Sequence, residues 1–125
     1  MNRPTLLNAG IRDVSFGEGV RVVQPVNLYE CAIGTNCFIG PFVEIQKGVK
    51  VGKNTKIQSH AFLCELVTIG DNCFIGHGVM FINDKFSDGK PAGGDEQGWL
   101  ATIFLTVFRL VLMQLFYQFQ FVPMW

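Results

Sequence analysis

Starting at Ile33, every sixth residue is large and apolar: Ile33, Ile39, Ile45, Val51, Ile57, Leu63, Ile69, Ile75 and Phe81. Four places later in each hexad stand Cys37, Val43, Val49, Thr55, Ala61, Val67, Cys73 and Val79, all small or β-branched. A helix repeats near 3.6 residues and a strand at 2, so a period of six fits neither alone. It fits a short strand plus a corner, repeated. Three such sides close a triangular coil of 18 residues, which stacks Ile33, Val51 and Ile69 in one column and Gly34, Gly52 and Gly70 in another.

The corners carry their own signal. The third position after six of the aliphatics holds Asn36, Gly48, Asn54, His60, Asn72 and Gly78. These residue types tolerate a left-handed backbone. Phe38 and Phe74 fall outside the inward columns and are expected to face outward, where aromatics in register suit a subunit interface. Upstream, Phe16, Val22 and Leu28 keep the spacing, but Leu28 to Ile33 is five residues, so the first rung is irregular. The expected organisation is a lead-in over 1–13, a β-helix over 14–86, a protruding loop over 87–98 and a distinct tail over 99–125.

Composition matters mainly because it is uneven. The chain is 49% hydrophobic overall with zero formal net charge, which excludes disorder and gives no basic field for nucleic acid. Residues 99–125, however, hold both Trp residues, five of the twelve Phe and no Gly, and their only charge is Arg109. Cys31, Cys37, Cys64 and Cys73 form no C-x-x-C pair, and Cys37 and Cys73 would lie two rungs apart. Two rungs are about 9.6 Å, beyond the roughly 7 Å Cα separation a disulfide spans. The thiols are expected to be free and buried in a cytoplasmic protein, since no signal-peptide pattern opens the chain.

The tandem [LIV]-G-x-x-x-x hexads, with IGTNCFIG at 33–40 and IGDNCFIG at 69–76, resemble the hexapeptide-repeat acyltransferases. The fold this resemblance implies is all-β, a left-handed parallel β-helix, here of about four coils. The handedness comes from the resemblance, since ordinary crossovers are right-handed. The stretch IGDNCFIGHGVMFINDKF looks more narrowly like the nucleotide-sugar N-acetyltransferases. The resemblance implies transfer of an acetyl group from acetyl-CoA to the amine of a UDP- or dTDP-linked amino sugar for surface polysaccharide. It also implies a homotrimer with sites between subunits.

The family's I-N-D-x-F marker falls on Ile82 to Phe86, where a loop leaves the coil beside the sugar. It implies that Asn83 and Asp84 orient the amine, against a plain reading as a turn that starts the loop. Lys85 and Phe86 are expected beside the substrate, and a pyrophosphate could meet Lys85 or Lys90, although loop lysines are commonly just solvated. Glu65 stands where the family carries a polar residue facing the sugar; the plain reading is a solvated corner carboxylate. His60 and His77 are 17 apart and are expected at one corner on adjacent rungs. Imidazole titrates near neutrality, so His77, expected near Asn83, is the candidate general base, with His60 as a substrate contact or corner residue. No metal is expected: the β-helical carbonic anhydrases need three histidines and this chain has two.

The tail admits two readings. Residues 99–117 give a 19-residue apolar window, but Arg109 near its centre costs about 2.5–3.5 kcal/mol on insertion scales, so a membrane span is disfavoured. Reading the codons one nucleotide earlier instead permits VSIGSNATILPVSI, which restores the hexad. A change of frame near 99–106 is therefore expected. In the family acetyl-CoA lies against later coils, so its site is expected to be incomplete, its residues are unknown and the chain's own activity is an open question. The alternatives are a non-catalytic trimeric β-helix or pseudoenzyme, and a coil tethered to a membrane through 99–117.

Overall fold

The computed structural model describes residues 1–84, 89–93, 96–104 and 109–110. From Ile11 the backbone runs in strands of two or three residues separated by two-residue turns. Each strand pairs in parallel with the strand one coil away and never with its neighbour in sequence. Three sides result. Side A stacks Ile11–Arg12, Asn27–Tyr29, Glu44–Ile45 and Phe62–Leu63. Side B stacks Ser15–Phe16, Ala32–Ile33, Lys50–Val51, Val67–Ile69 and Thr102–Phe104. Side C stacks Arg21–Val22, Phe38–Ile39, Lys56–Ile57, Phe74–Ile75 and Arg109–Leu110. The architecture is an all-β left-handed β-helix of about four coils.

Alternation along each short strand sets the core. All nine residues of the aliphatic column, Ile33 through Phe81, are buried, and so are all eight of the small-residue column, Cys37 through Val79. Phe38 and Phe74 take the outward positions beside buried Ile39 and Ile75 and are half-buried. The Ile33, Val51 and Ile69 column forms in register. Thr55 stands between Cys37 and Cys73 in its column and is completely buried. Its hydroxyl donates to the Gly70 carbonyl at 2.9 Å and accepts from the Cys73 N–H at 3.2 Å. All four cysteines are free and buried.

Every expected left-handed corner is left-handed: Asn36, Gly48, Asn54, His60, Asn72 and Gly78 all have positive φ. Phe42 (φ 63°) and Leu66 (φ 73°) join them, although bulky side chains rarely adopt this conformation. The hexad phase places them there, and the stacking of rungs holds them. Phe42 N–H donates to the Pro25 carbonyl at 2.7 Å, and His60 N–H donates to the Pro41 carbonyl at 3.2 Å.

Two boundaries differ from expectation. The coil begins at Ile11, paired with Leu28, so the lead-in ends at Gly10 rather than at residue 13. Counting back six from Phe16 lands on Gly10; the corner between sides A and B is one residue short in the first two coils, which hid Ile11. At the other end, two segments of the stretch expected as a distinct tail extend the coil, beside Val67–Ile69 and Phe74–Ile75. Thr102–Phe104 pairs with the first and Arg109–Leu110 with the second.

Candidate functional site

Two polar clusters stand at opposite ends of side A. The first lies at the corner between sides A and B. Asn83 is one coil beyond Glu65, and its Nδ2 donates to the Glu65 carbonyl oxygen at 2.9 Å. The Leu100 N–H donates back to the Asn83 carbonyl at 2.6 Å. Asp84 pairs with Trp99 in an antiparallel bridge, and its Oδ2 accepts from the Ala92 N–H at 2.7 Å. Asn83 and Asp84 therefore clasp both ends of the excursion that leaves the coil after Asp84 and returns at Trp99. Within it Gly89 (φ 72°) and Gly93 (φ 69°) supply left-handed turns. Lys85 and Phe86 lie outside the described residues, while Lys90 is described and exposed.

Glu65 is half-buried, and its backbone N–H donates to Gln46 Oε1 at 3.3 Å. Gln46 Nε2 in turn donates to Glu44 Oε2 at 2.9 Å. Tyr29 belongs to the same wall. Burial pushes its phenol above the ordinary range, and the carboxylates of Glu44 and Glu65 add to this, against the lowering by Arg12. The corner is thus a carboxylate- and amide-rich wall, acceptor-rich and suited to N–H and O–H donors. Cys64, beneath it, is 3% exposed, and burial pushes its thiol up.

The second cluster lies at the corner between sides C and A. His60 and His77 share it, on adjacent rungs, as expected. His77 Nδ1 is 3.0 Å from Ser59 Oγ, and both groups are accessible. His60 stacks on Phe42 with ring centroids 4.9 Å apart. The structure does not make His77 a neighbour of Asn83 within the chain. Six residues of a hexad span one side and one corner, so Asn83 falls at the far end of side A. Ser59, Gln46 and Phe42 were not singled out in the sequence. The coil period was the available signal for the first, since 59 and 77 differ by 18, as do 65 and 83.

Comparison with known proteins follows the same coils. Residues 30–65 match the model described as bacterial transferase hexapeptide (six repeats). Residues 66–80 match the hexapeptide repeat of succinyl-transferase. Together the two matches run without a gap from residue 30 to residue 80. The hexapeptide repeats thus cover the second coil through the start of the fifth, and they support an acyltransferase type of function. No curated protein and no solved structure matches the chain. Among the described residues no group of three His, Cys, Asp or Glu could hold a metal ion, and no helix is long and apolar enough to cross a membrane.

Proposed function

We propose that the chain is of the acyl-CoA-dependent N-acetyltransferase lineage, acting on the amine of a nucleotide-linked amino sugar. The observation that carries this reading is the clasp at the A–B corner. Asn83 and Asp84 fix a Gly-rich excursion to a wall of Glu65, Gln46 and Glu44, and the whole sits on transferase hexapeptide repeats. In the reaction the amine nitrogen attacks the thioester carbonyl, the carbon–sulfur bond breaks, the thiol leaves and the nitrogen loses one proton. A neutral amine is already a nucleophile, so positioning is the main task. Asn83, through its Oδ1, and Asp84 would orient the amine, with Glu65, Lys85 and Phe86 along the sugar. Acetyl-CoA enters as co-substrate, with no residue of the chain assigned to it. The working unit is a homotrimer, and the protein acts in the cytoplasm.

The second cluster supplies a second reading. His77, its ring fixed by Ser59 at 3.0 Å, is the alternative proton acceptor, with His60 as a substrate contact.

The change of reading frame near 99–106 is proposed on codon arithmetic. Sequencing the source gene tests it: one intact frame through codon 125, with no hexads in the other frame downstream, overturns it. The activity is tested by thiol release from acetyl-CoA with UDP- and dTDP-linked amino sugars, on this chain and on a frame-corrected one. Release dependent on the sugar supports the reading. No release from either protein leaves a non-catalytic β-helix.

A further inference from the structure

Equivalent corner positions are used differently around the coil. At the B–C corner Asp71, two places after its aliphatic, caps the backbone of the coil before it: its Oδ1 accepts the Lys53 N–H at 2.8 Å. At the A–B corner Asn83 Nδ2 donates to the Glu65 carbonyl at 2.9 Å. Ser59 and His77 hold the same two positions at the C–A corner, yet their contact is between side chains, Oγ to Nδ1 at 3.0 Å. Main-chain bonds fix both rungs there. The His60 N–H donates to the Pro41 carbonyl at 3.2 Å, and the Gly78 N–H donates to the Ser59 carbonyl at 3.0 Å. The coil thus holds the pair in place but uses neither side chain to close the corner.

The surroundings suit a nucleophile. His77 is exposed and Ser59 half-buried, within reach of a small molecule. The corner residues, from Gln24 and Pro25 to His77 and Gly78, include no Asp, Glu, Lys or Arg, so no amine competes there for an acyl group. His60 stacks on Phe42 with centroids 4.9 Å apart. Phe42 is 56% exposed, beside an apolar cleft of about 330 Å³ that Pro25, Val26 and Val43 also line. An apolar surface therefore adjoins the pair, where the hydrocarbon of an acyl group can leave water.

We propose that Ser59 is a nucleophile with His77 as its base, and that the pair takes up a short acyl group from an activated ester or thioester. With the imidazole proton on Nε2, Nδ1 accepts the Ser59 O–H. Oγ attacks the carbonyl carbon while its proton passes to Nδ1. The bond from that carbon to the leaving group then breaks. The phenolate or thiolate departs with the electron pair and takes the proton from the imidazolium. An O-acyl serine and a neutral His77 remain. The reaction needs neither the sugar nor the A–B corner, so it stands or falls apart from the amino-sugar reading.

The probe is p-nitrophenyl acetate, applied to the full chain at about pH 8, above the ordinary imidazole range. The parent is expected to release nitrophenol in a burst of about one equivalent per chain and to gain one acetyl group in the peptide that holds Ser59. Hydroxylamine should remove that group, because it cleaves an ester and spares a lysine amide. Ser59→Ala is expected to lose both burst and label, and His77→Gln to slow acylation roughly 10²-fold. Ser59→Cys, which keeps a nucleophile, should take the label again, which a folding defect would not allow. A parent without a burst overturns the assignment. So does an equal burst from Ser59→Ala, a label that resists hydroxylamine, or a His77→Gln rate within about threefold of the parent.

Discussion

The Asn83 side-chain amide donates to the Glu65 carbonyl across one full coil, at 2.9 Å. That bond spends the donor end of Asn83 on the fold and leaves its acceptor end for a substrate amine. Asn83→Ala removes both. We expect a loss of about 10²-fold in kcat/KM, the scale of a mispositioned reactant. Limited proteolysis should also cut faster between residues 85 and 98. Asn83→Asp keeps an acceptor but loses the donor, so faster cleavage with most of the activity retained would separate the two roles.

His77 and Asn83 stand a side of the coil apart, so proton uptake at the A–B corner does not require the imidazole. His77→Gln is expected to change kcat/KM by less than about threefold and to keep the acidic limb of the pH profile. A loss of tenfold or more, with that limb gone, would move the proton acceptor to the Ser59–His77 corner.

Gly52 lies directly below Gly70. A Cβ at Gly52 would stand 2.6 Å from the Gly70 carbonyl carbon and 2.7 Å from its oxygen. Both contacts are backbone, so no rotamer change relieves them. Gly52→Ala is expected to destabilise the coil by about 1–3 kcal/mol, read as a lowered urea midpoint. Gly48→Ala at the A–B corner meets no atom within 4 Å but inherits a φ of 79°. It should cost about 1 kcal/mol, from backbone strain alone.

Thr55 is the one polar residue among the buried side chains of the described core. Thr55→Val keeps the shape but removes the acceptor of the Cys73 N–H and the donor to Gly70 O. A loss of about 1–3 kcal/mol is expected from equilibrium unfolding. Thr55→Ser, which keeps the hydroxyl, should recover the part that is not packing.

Burial pushes the Cys31 thiol up to about 11, and Cys37, Cys64 and Tyr29 shift the same way. A folded pKa above the unfolded value of about 8.5 means that the fold favours the neutral thiol. The contribution is therefore complete below about pH 8.5 and is lost as pH rises through about 11. Urea midpoints should fall between pH 8.5 and 11, and Cys31→Ala should flatten that fall. A midpoint independent of pH over this range would contradict the assignment.

The six-residue period by itself determined the two inward columns, the outward phenylalanines and six of the left-handed corners. Each of these depends only on strand alternation and on corner spacing, which are local. Phe42 and Leu66 were hidden because their side-chain types argue against a left-handed backbone; the coil imposes it through rung stacking that no local preference reveals. Ile11 was hidden by a corner one residue short. What only the tertiary structure decided is which polar groups meet. Parallel pairing one coil apart carries Asn83 onto Glu65 and His77 onto Ser59, residues 18 apart in the chain. The same pairing parts His77 from Asn83, six residues apart, because a hexad turns a corner before it repeats. Sequence distance measures nearness along a strand, whereas in this coil contact is set by the turn of the solenoid.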